Sequence, residues 1–311
     1  MKRKLSSTVL ELREGDSKIK IEVLPEFGAQ LKSFSVNGRE LLYFSEEKFL
    51  SKEQAYSGSF NMFPTLCRLT GARYNFEGRE IRQRKNGKDY PIHGLIRDEV
   101  LNIVRGADFI EASIEIDEKH PVYQGYPFPS KLLLKYQIVE NGLKISFDYQ
   151  NKGSQSSPFC FGVHPYWKID GDRRDIEIKV PCNFAPELKD LVPTGRMVKV
   201  DNTEYDLRNW KKLSEVHIDQ SFYGRVNNEK GGIHWKKDKL RLNIDASPEL
   251  THMIGYVPKD LPAICIENLT ASPDAPNLYN KGYKTESGLV IVPPGKHYSG
   301  WISWIVEKDN S

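Results

Sequence analysis

The feature that most constrains this chain is a period-two alternation of apolar and polar residues that returns along its length. Ile19, Ile21 and Val23 alternate with Lys18, Lys20 and Glu22, and Leu143, Ile145, Phe147 and Tyr149 with Lys144, Ser146 and Asp148. Leu240, Leu242, Ile244 and Ala246 alternate with Arg241, Asn243 and Asp245. Successive side chains of a strand point to opposite faces, so each segment buries one face and wets the other. Asn37-Gly38, Glu77-Gly78, Asn86-Gly87, Asn141-Gly142 and Gly231-Gly232 read as turns between such segments, because tight hairpins need residues that reach positive φ. The clearest hairpin joins 132–139 to 143–149 through Asn141-Gly142. Short helices are expected only near 47–54 and 214–219. With no linker-like composition break and no internal repeat, the expected architecture is all-β. It is one large antiparallel β-sandwich spanning residues 1–311 as a single domain, with few short helices.

Composition narrows the partners. Hydrophobic residues make up 39% of the 311 and charged residues 28%, which permits a substantial core and argues against disorder. The 45 basic and 42 acidic residues leave a net charge of +3, too small an excess to imply a nucleic-acid face. The basic run from Arg79 to Lys88 is split by Asn86-Gly87 and reads as a solvated hairpin. Cys67, Cys160, Cys182 and Cys265 lie far apart without CxxC spacing, which suits a reduced compartment better than a disulfide framework or a zinc site. Lys2, Arg3 and Lys4 are not followed by an apolar h-region, and no apolar run approaches bilayer length. A cytoplasmic chain with no membrane partner is therefore expected.

The sequence lacks GxGxxG, GxxxxGK[ST] and GxSxG, so dinucleotide, P-loop and α/β-hydrolase chemistry have no support. Asn268-Leu269-Thr270 fits a glycosylation sequon, a match common by chance and idle in a cytoplasmic chain. Metal binding is open wherever His and Glu converge, but no two histidines sit at ligand spacing, and no metal or cofactor is expected.

Two segments carry ionisable groups in an unusual setting. In 159–167, Phe159, Phe161 and Val163 share a core face, and Cys160, Gly162 and His164 share the other. Pro165 cannot donate a ladder hydrogen bond, so the strand is expected to stop with His164 at its rim, beside open space left by two small residues. The plain alternative is a histidine tucked under an aromatic lid and bonded to a carbonyl. In 262–268, Ile264 and Ile266 face the core, while Ala263, Cys265 and Glu267 face away, with Glu267 near the strand end. A carboxylate there needs a partner, and an ion pair with Lys or Arg is its plain alternative. Three more residues qualify: Arg68 in a Pro- and Gly-flanked loop, His93 before Gly94, and Asp219 in His217-Ile218-Asp219-Gln220. Each alone reads equally well as a surface charge, a turn histidine and a turn or cap residue. Tyr166, Trp167 and Phe222 could stack on a ligand face or belong to the core.

Taken in order, these residues resemble the aldose 1-epimerase (galactose mutarotase) family. The matching segments are Leu24-Pro25-Glu26-Phe27-Gly28-Ala29, Phe63-Pro64 to Arg68, His93-Gly94-Leu95-Ile96-Arg97-Asp98 and Gly125-Tyr126-Pro127. His164-Pro165-Tyr166, Asp219 to Phe222, Cys265-Ile266-Glu267 and Pro294-Gly295 complete them. The resemblance implies a galactose mutarotase-like supersandwich with a small-molecule sugar in a cleft on one concave sheet, and no cofactor. It implies Glu267 as the base that takes the anomeric proton and His164 as the acid that protonates the ring oxygen. Arg68, His93 and Asp219 would hold the sugar. Three positions depart from the family pattern: Cys67 stands where Asn is usual, Asn268 where Pro often follows the glutamate, and Leu101 where an aromatic is expected. A hexose 6-phosphate epimerase, drawing on Arg68, Arg73 and Arg97, and a non-catalytic sugar-binding protein are the alternatives on the same fold.

Overall fold

The computed structural model describes residues 5–51, 57–84 and 91–309. Two large antiparallel sheets dominate. The twelve-stranded sheet runs Thr8–Glu14, Ser17–Leu24, Gln30–Val36, Ser59–Met62, Gly162–Pro165, Ala263–Leu269, His252–Tyr256, Asp219–Arg225, Cys182–Lys189, Val192–Lys199, with two short strands off that path. The nine-stranded sheet runs Lys211–Lys212, Ile176–Lys179, Gly231–Trp235, Leu240–Ala246, His297–Lys308, Gly142–Asn151, Ser130–Val139, Phe109–Ile116, Asn102–Arg105.

The alternating segments place their apolar sides between the sheets. Ile19, Ile21 and Val23 on one sheet and Leu143, Ile145, Leu242 and Ile244 on the other join one buried cluster. Burying each such side chain contributes about 1.5–3 kcal/mol. Trp304 of the second sheet meets Phe34 at 5.9 Å and Trp167 at 4.7 Å from the first. Two polar side chains caught between the layers pair with each other and the backbone: the Tyr136 hydroxyl donates to the Ala29 carbonyl at 2.7 Å, and the Asn61 amide donates to the Tyr136 oxygen at 2.7 Å. No helix among the described residues is long and apolar enough to cross a membrane.

Several local expectations are corrected. Asn37-Gly38 and Glu77-Gly78 do form tight turns, with φ of 52° and 82° and of 49° and 79°. In the 130–151 hairpin, Val139 pairs with Gly142, so the turn is Glu140-Asn141 and Gly142 is already a strand residue. Its lack of a side chain serves close packing, because a Cβ there would meet the Trp304 carbonyl at 2.0 Å. Gly231-Gly232 is likewise no turn but the start of a strand, where a Cβ on Gly232 would meet the Leu242 carbonyl at 2.1 Å. Close backbone approach competes with turn formation for the same residue type. Asn86-Gly87 lies outside the described residues; Arg79–Arg82 pairs instead with Arg73–Phe76. The first helix spans Glu46–Ser51, and the rest of the expected 47–54 segment lies outside the described residues. The 214–219 helix reduces to a 3-10 turn at Leu213–Glu215, and Asp219 opens a strand.

The 159–167 segment is not one strand. Ser157–Phe159 pairs with Val290–Val292 in a separate two-stranded sheet, and the chain joins the large sheet only at Gly162–Pro165. The face assignment survives this break: Phe159, Phe161 and Val163 lie in the main core, and Cys160 lies in a smaller cluster with Phe60, Ala263 and Cys265.

Candidate active site

One row of side chains crosses five strands on the outer face of the twelve-stranded sheet. Phe60 pairs with His164, Glu267 with Ile254, and Ile254 with Ser221. The remaining link follows from register. Gly162 pairs with Leu269 and Trp167 with Ile264, two pairings of one antiparallel register that sets His164 opposite Glu267. The ladder between them is thin where Pro165 supplies no N–H. His164 Nε2 lies 3.2 Å from Glu267 Oε1, with the two residues 5% and 1% exposed. Glu267 therefore stands inside a central strand, not near its end, and His164 is buried rather than at a rim. The next row places Asp219 opposite Tyr256 and Tyr256 opposite Cys265.

Loops bring the other candidates over this floor. His93 N–H donates to the Cys67 carbonyl at 2.7 Å and Leu95 N–H to the Phe63 carbonyl at 2.7 Å, while Arg68 bridges to Ile92. Both His93 and Gly94 hold left-handed backbone, φ 62° and 76°, and a Cβ on Gly94 would meet the Phe63 carbonyl at 2.3 Å. Gly94 thus allows the two segments to close, and the turn throws the His93 ring over the sheet. The resulting cleft of about 170 Å³ is lined by Arg68, His93, His164, Asp219 and Glu267 together. All five residues singled out from the sequence share it.

Aromatic packing fixes the imidazole. The Tyr166 ring stacks on His164 at 4.8 Å and 12°, Phe60 lies 4.6 Å away, and His93 meets it edge-on at 5.0 Å. Arg97 lies over the other partner, 4.3 Å from the Phe60 ring centre. Tyr166 lines the cleft, whereas Trp167 and Phe222 are fully buried in the core.

The same surroundings set the charge states. Burial, with Arg97 nearby, pushes His164 down to about 3. Burial, reinforced by the negative charge of Asp219, raises Glu267 well above the usual carboxylate range. His93 is lowered by burial and by His164, Arg97 and Arg68. Burial raises Asp219, opposed by Arg68. Desolvation disfavours each charged form, so His164 becomes a strong acid when protonated and Glu267 a strong base when ionised.

Residues 9–304 match the sequence profile of the family described as Aldose 1-epimerase. The chain belongs to that family. It is 24% identical over 234 residues to galactose mutarotase of Sus scrofa, an alignment covering 68% of this chain and 66% of that protein. The rat galactose mutarotase, Rattus norvegicus, is 25% identical over 66% of this chain and 64% of its own. The chain thus spans just under two thirds of these relatives' length. Among solved structures, a galactose mutarotase-like protein from Clostridium acetobutylicum superposes with a TM-score of 0.82 at 17% identity, covering 97% of this chain and 99% of that one. An aldose epimerase homologue from C. elegans gives 0.81 at 20% identity, covering 98% and 100%. These likenesses establish the galactose mutarotase-like fold.

Of the three departures from the aldose 1-epimerase pattern, only Cys67 touches the cleft. Its φ of 48° is left-handed, a conformation that Asn adopts more readily than Cys. Asn268 points to the opposite face from Glu267, is 1% exposed, and neither polar atom of its side chain has a partner among the described residues. A glycan there is excluded by burial. Leu101 is part of the core. The sequence reading missed the hairpin of Cys182–Lys189 and Val192–Lys199, whose Leu188 and Leu191 wall the cleft. Its alternation is irregular, with a register shift between Pro186 and Leu188 and positive φ at Asp190 and Leu191. It also missed Tyr256 and Ile254, which lie on a strand too short to announce a period.

Proposed function

We propose that this protein is an aldose 1-epimerase that interconverts the α and β anomers of a free aldose, with Glu267 as base and His164 as acid. The observation that carries this reading is the 3.2 Å approach of His164 Nε2 to Glu267 Oε1 on the floor of a cleft that also presents Arg68, His93 and Asp219. The family match and the galactose mutarotase relatives support it.

Anomer exchange needs the O1 hydroxyl deprotonated and the ring oxygen protonated. The ring opens to the aldehyde, the C1–C2 bond rotates, and closure reverses both transfers. The charged pair, Glu267 carboxylate and His164 imidazolium, contains the same number of protons as the neutral pair. Opening the sugar moves one proton onto Glu267 and one off His164, so the aldehyde is accompanied by the neutral pair, which burial favours. Each transfer is worth about 10²–10⁴-fold in rate. Closure returns the Glu267 proton to O1 and takes one back onto His164, so each full turnover ends with the charged pair it began with. Arg68 and His93 supply donors for sugar oxygens, and Asp219 accepts from sugar hydroxyls while strengthening Glu267 as a base.

The hexose 6-phosphate alternative has less support. Arg68 lines the cleft, but Arg73 is exposed and approaches Glu80 at 3.5 Å, and Arg97 lies against the Phe60 ring. The binding-protein alternative leaves the close acid–base pair without a role. Anomer exchange followed by NMR with galactose, glucose, xylose and glucose 6-phosphate separates the three. Acceleration for a free sugar, lost in Glu267→Gln, is expected. Sugar binding without acceleration, or full activity in the variant, would overturn the assignment.

A further inference from the structure

Three potential metal donors converge at the cleft: His164 and Glu267 line it, Cys265 is buried with them, and the three ligand atoms lie within 4.8 Å of one another. Cys265 and Glu267 are two apart on one central strand and so share a face, and register sets His164 opposite Glu267. The site also has unmet bonding capacity. Glu267 Oε2 has no partner among the described residues, and His164 Nδ1 has none outside its own residue. Cys265 is a free thiol.

We propose that His164, Cys265 and Glu267 form a binding site for a thiophilic divalent cation of the zinc type, with its fourth position open to the cleft. Imidazole, thiolate and carboxylate are the donor types zinc accepts, at bond lengths of about 2.0–2.3 Å. Tetrahedral geometry then separates donor pairs by roughly 3.3–3.7 Å. The His164–Glu267 distance of 3.2 Å is already close to that range, and the full set needs at most about an ångström of closure. Three protein donors with an open fourth place is the arrangement of an accessible site rather than a closed structural one. Hard cations such as Mg²⁺ demand oxygen donors and are disfavoured by the thiol.

Charge bookkeeping supports the choice. A dication bound by one thiolate, one carboxylate and one neutral imidazole makes a neutral buried group, so burial does not oppose the occupied site. Asp219 adds negative charge nearby, and Arg68 and Arg97 oppose it. Binding releases two protons, one from Cys265 and one from the His164–Glu267 pair, whichever member holds it. Affinity therefore rises with pH, by up to about 100-fold per unit while both protons remain to be displaced. The site exists independently of the sugar reading. Its consequence rests on that reading: an ion there occupies the proposed acid and base, so zinc and turnover exclude each other.

Cobalt(II) added to the metal-free protein tests the site without using activity. We expect a near-ultraviolet thiolate-to-cobalt charge-transfer band with intense tetrahedral visible bands, both bleached by one equivalent of zinc. Cys265→Ser should remove the charge-transfer band, and Cys67→Ser, altering the thiol that lines the cleft, should leave it. His164→Asn should weaken binding at least tenfold. Absence of the band in the wild-type protein, its persistence in Cys265→Ser, or its loss only in Cys67→Ser would overturn the site. Should cobalt bind while the protein accelerates no sugar, the metal site stands and the epimerase reading fails. In an active protein, zinc inhibition reversed by a chelator is expected, with Cys265→Ser active and resistant; an active Cys265→Ser that stays equally zinc-sensitive would count against the site.

Discussion

His164 and His252 are both buried, and burial lowers both, to about 3 and about 4, yet they stand in different roles. His252 begins the strand that pairs with the Glu267 strand, opposite Leu269. Its Nδ1 meets Thr251 Oγ1 at 2.8 Å and its Nε2 meets the Glu286 carbonyl at 3.0 Å, under the Tyr223 ring at 4.9 Å. It is the aromatic-lidded, carbonyl-bonded histidine that was the plain reading of His164. At His164 the packing is equally tight, but Nε2 meets a carboxylate on the floor of an open cleft. Burial and a lowered pKa therefore do not mark a functional histidine. The role proposed for His164 rests instead on a neighbour that is itself ionisable and lines the cleft.

Breaking the pair at each end gives the largest effects. Glu267→Gln should lower the anomer exchange rate by on the order of 10³–10⁴-fold, with thermal stability unchanged or raised because a buried ionisable group is gone. His164→Asn should cost on the order of 10²–10³-fold in rate, read in the same NMR assay. His252→Gln should invert the pattern, with activity per folded molecule within about twofold but a loss of about 1–3 kcal/mol in urea unfolding from its broken hydrogen bonds. An activity loss at His252 as large as at His164 would erase the distinction between them.

Acid sharpens the contrast further. His252 takes up a proton near 6.5 when unfolded but only near 4 when folded, so its stabilising contribution is complete above 6.5 and is lost as pH falls through 4. Lowering pH from about 7 to about 5 should remove about 2 kcal/mol from the wild type through this residue, a slope that His252→Gln lacks in urea titrations. The proposed acid–base pair behaves differently. It holds a single titratable proton from about 3 up to the raised value of Glu267, so turnover should stay level over that acid range. The smallest effect is expected at Arg68→Lys, which keeps the charge but loses the planar donor fork: KM rising about tenfold with kcat within a few-fold.

The fold was legible because alternation and turn residues report on a half-buried antiparallel sheet directly. Glycine was the weak point. Gly142 and Gly232 pack against carbonyls and look identical in sequence to the turn glycines Gly38 and Gly78. The five cleft residues were legible through their ordered resemblance to a family, and His164 and Glu267 also through the small residues that share their faces. Their adjacency was not, because it depends on a register that joins Gly162 to Leu269, over a hundred residues apart. Leu188 and Leu191 were hidden for a related reason: they come from an irregular hairpin whose sequence carries neither strict alternation nor a turn pair.

The central claim is that Glu267 and His164 act as one proton-holding unit, and a double-mutant cycle on anomer exchange tests it most directly. Exchange rates would be measured by NMR for the wild type, Glu267→Gln, His164→Asn and the double variant with the fastest sugar. A double variant no slower than the worse single one is predicted, since neither group works without the other. Losses that simply multiply would mean two independent contributors and would contradict the account.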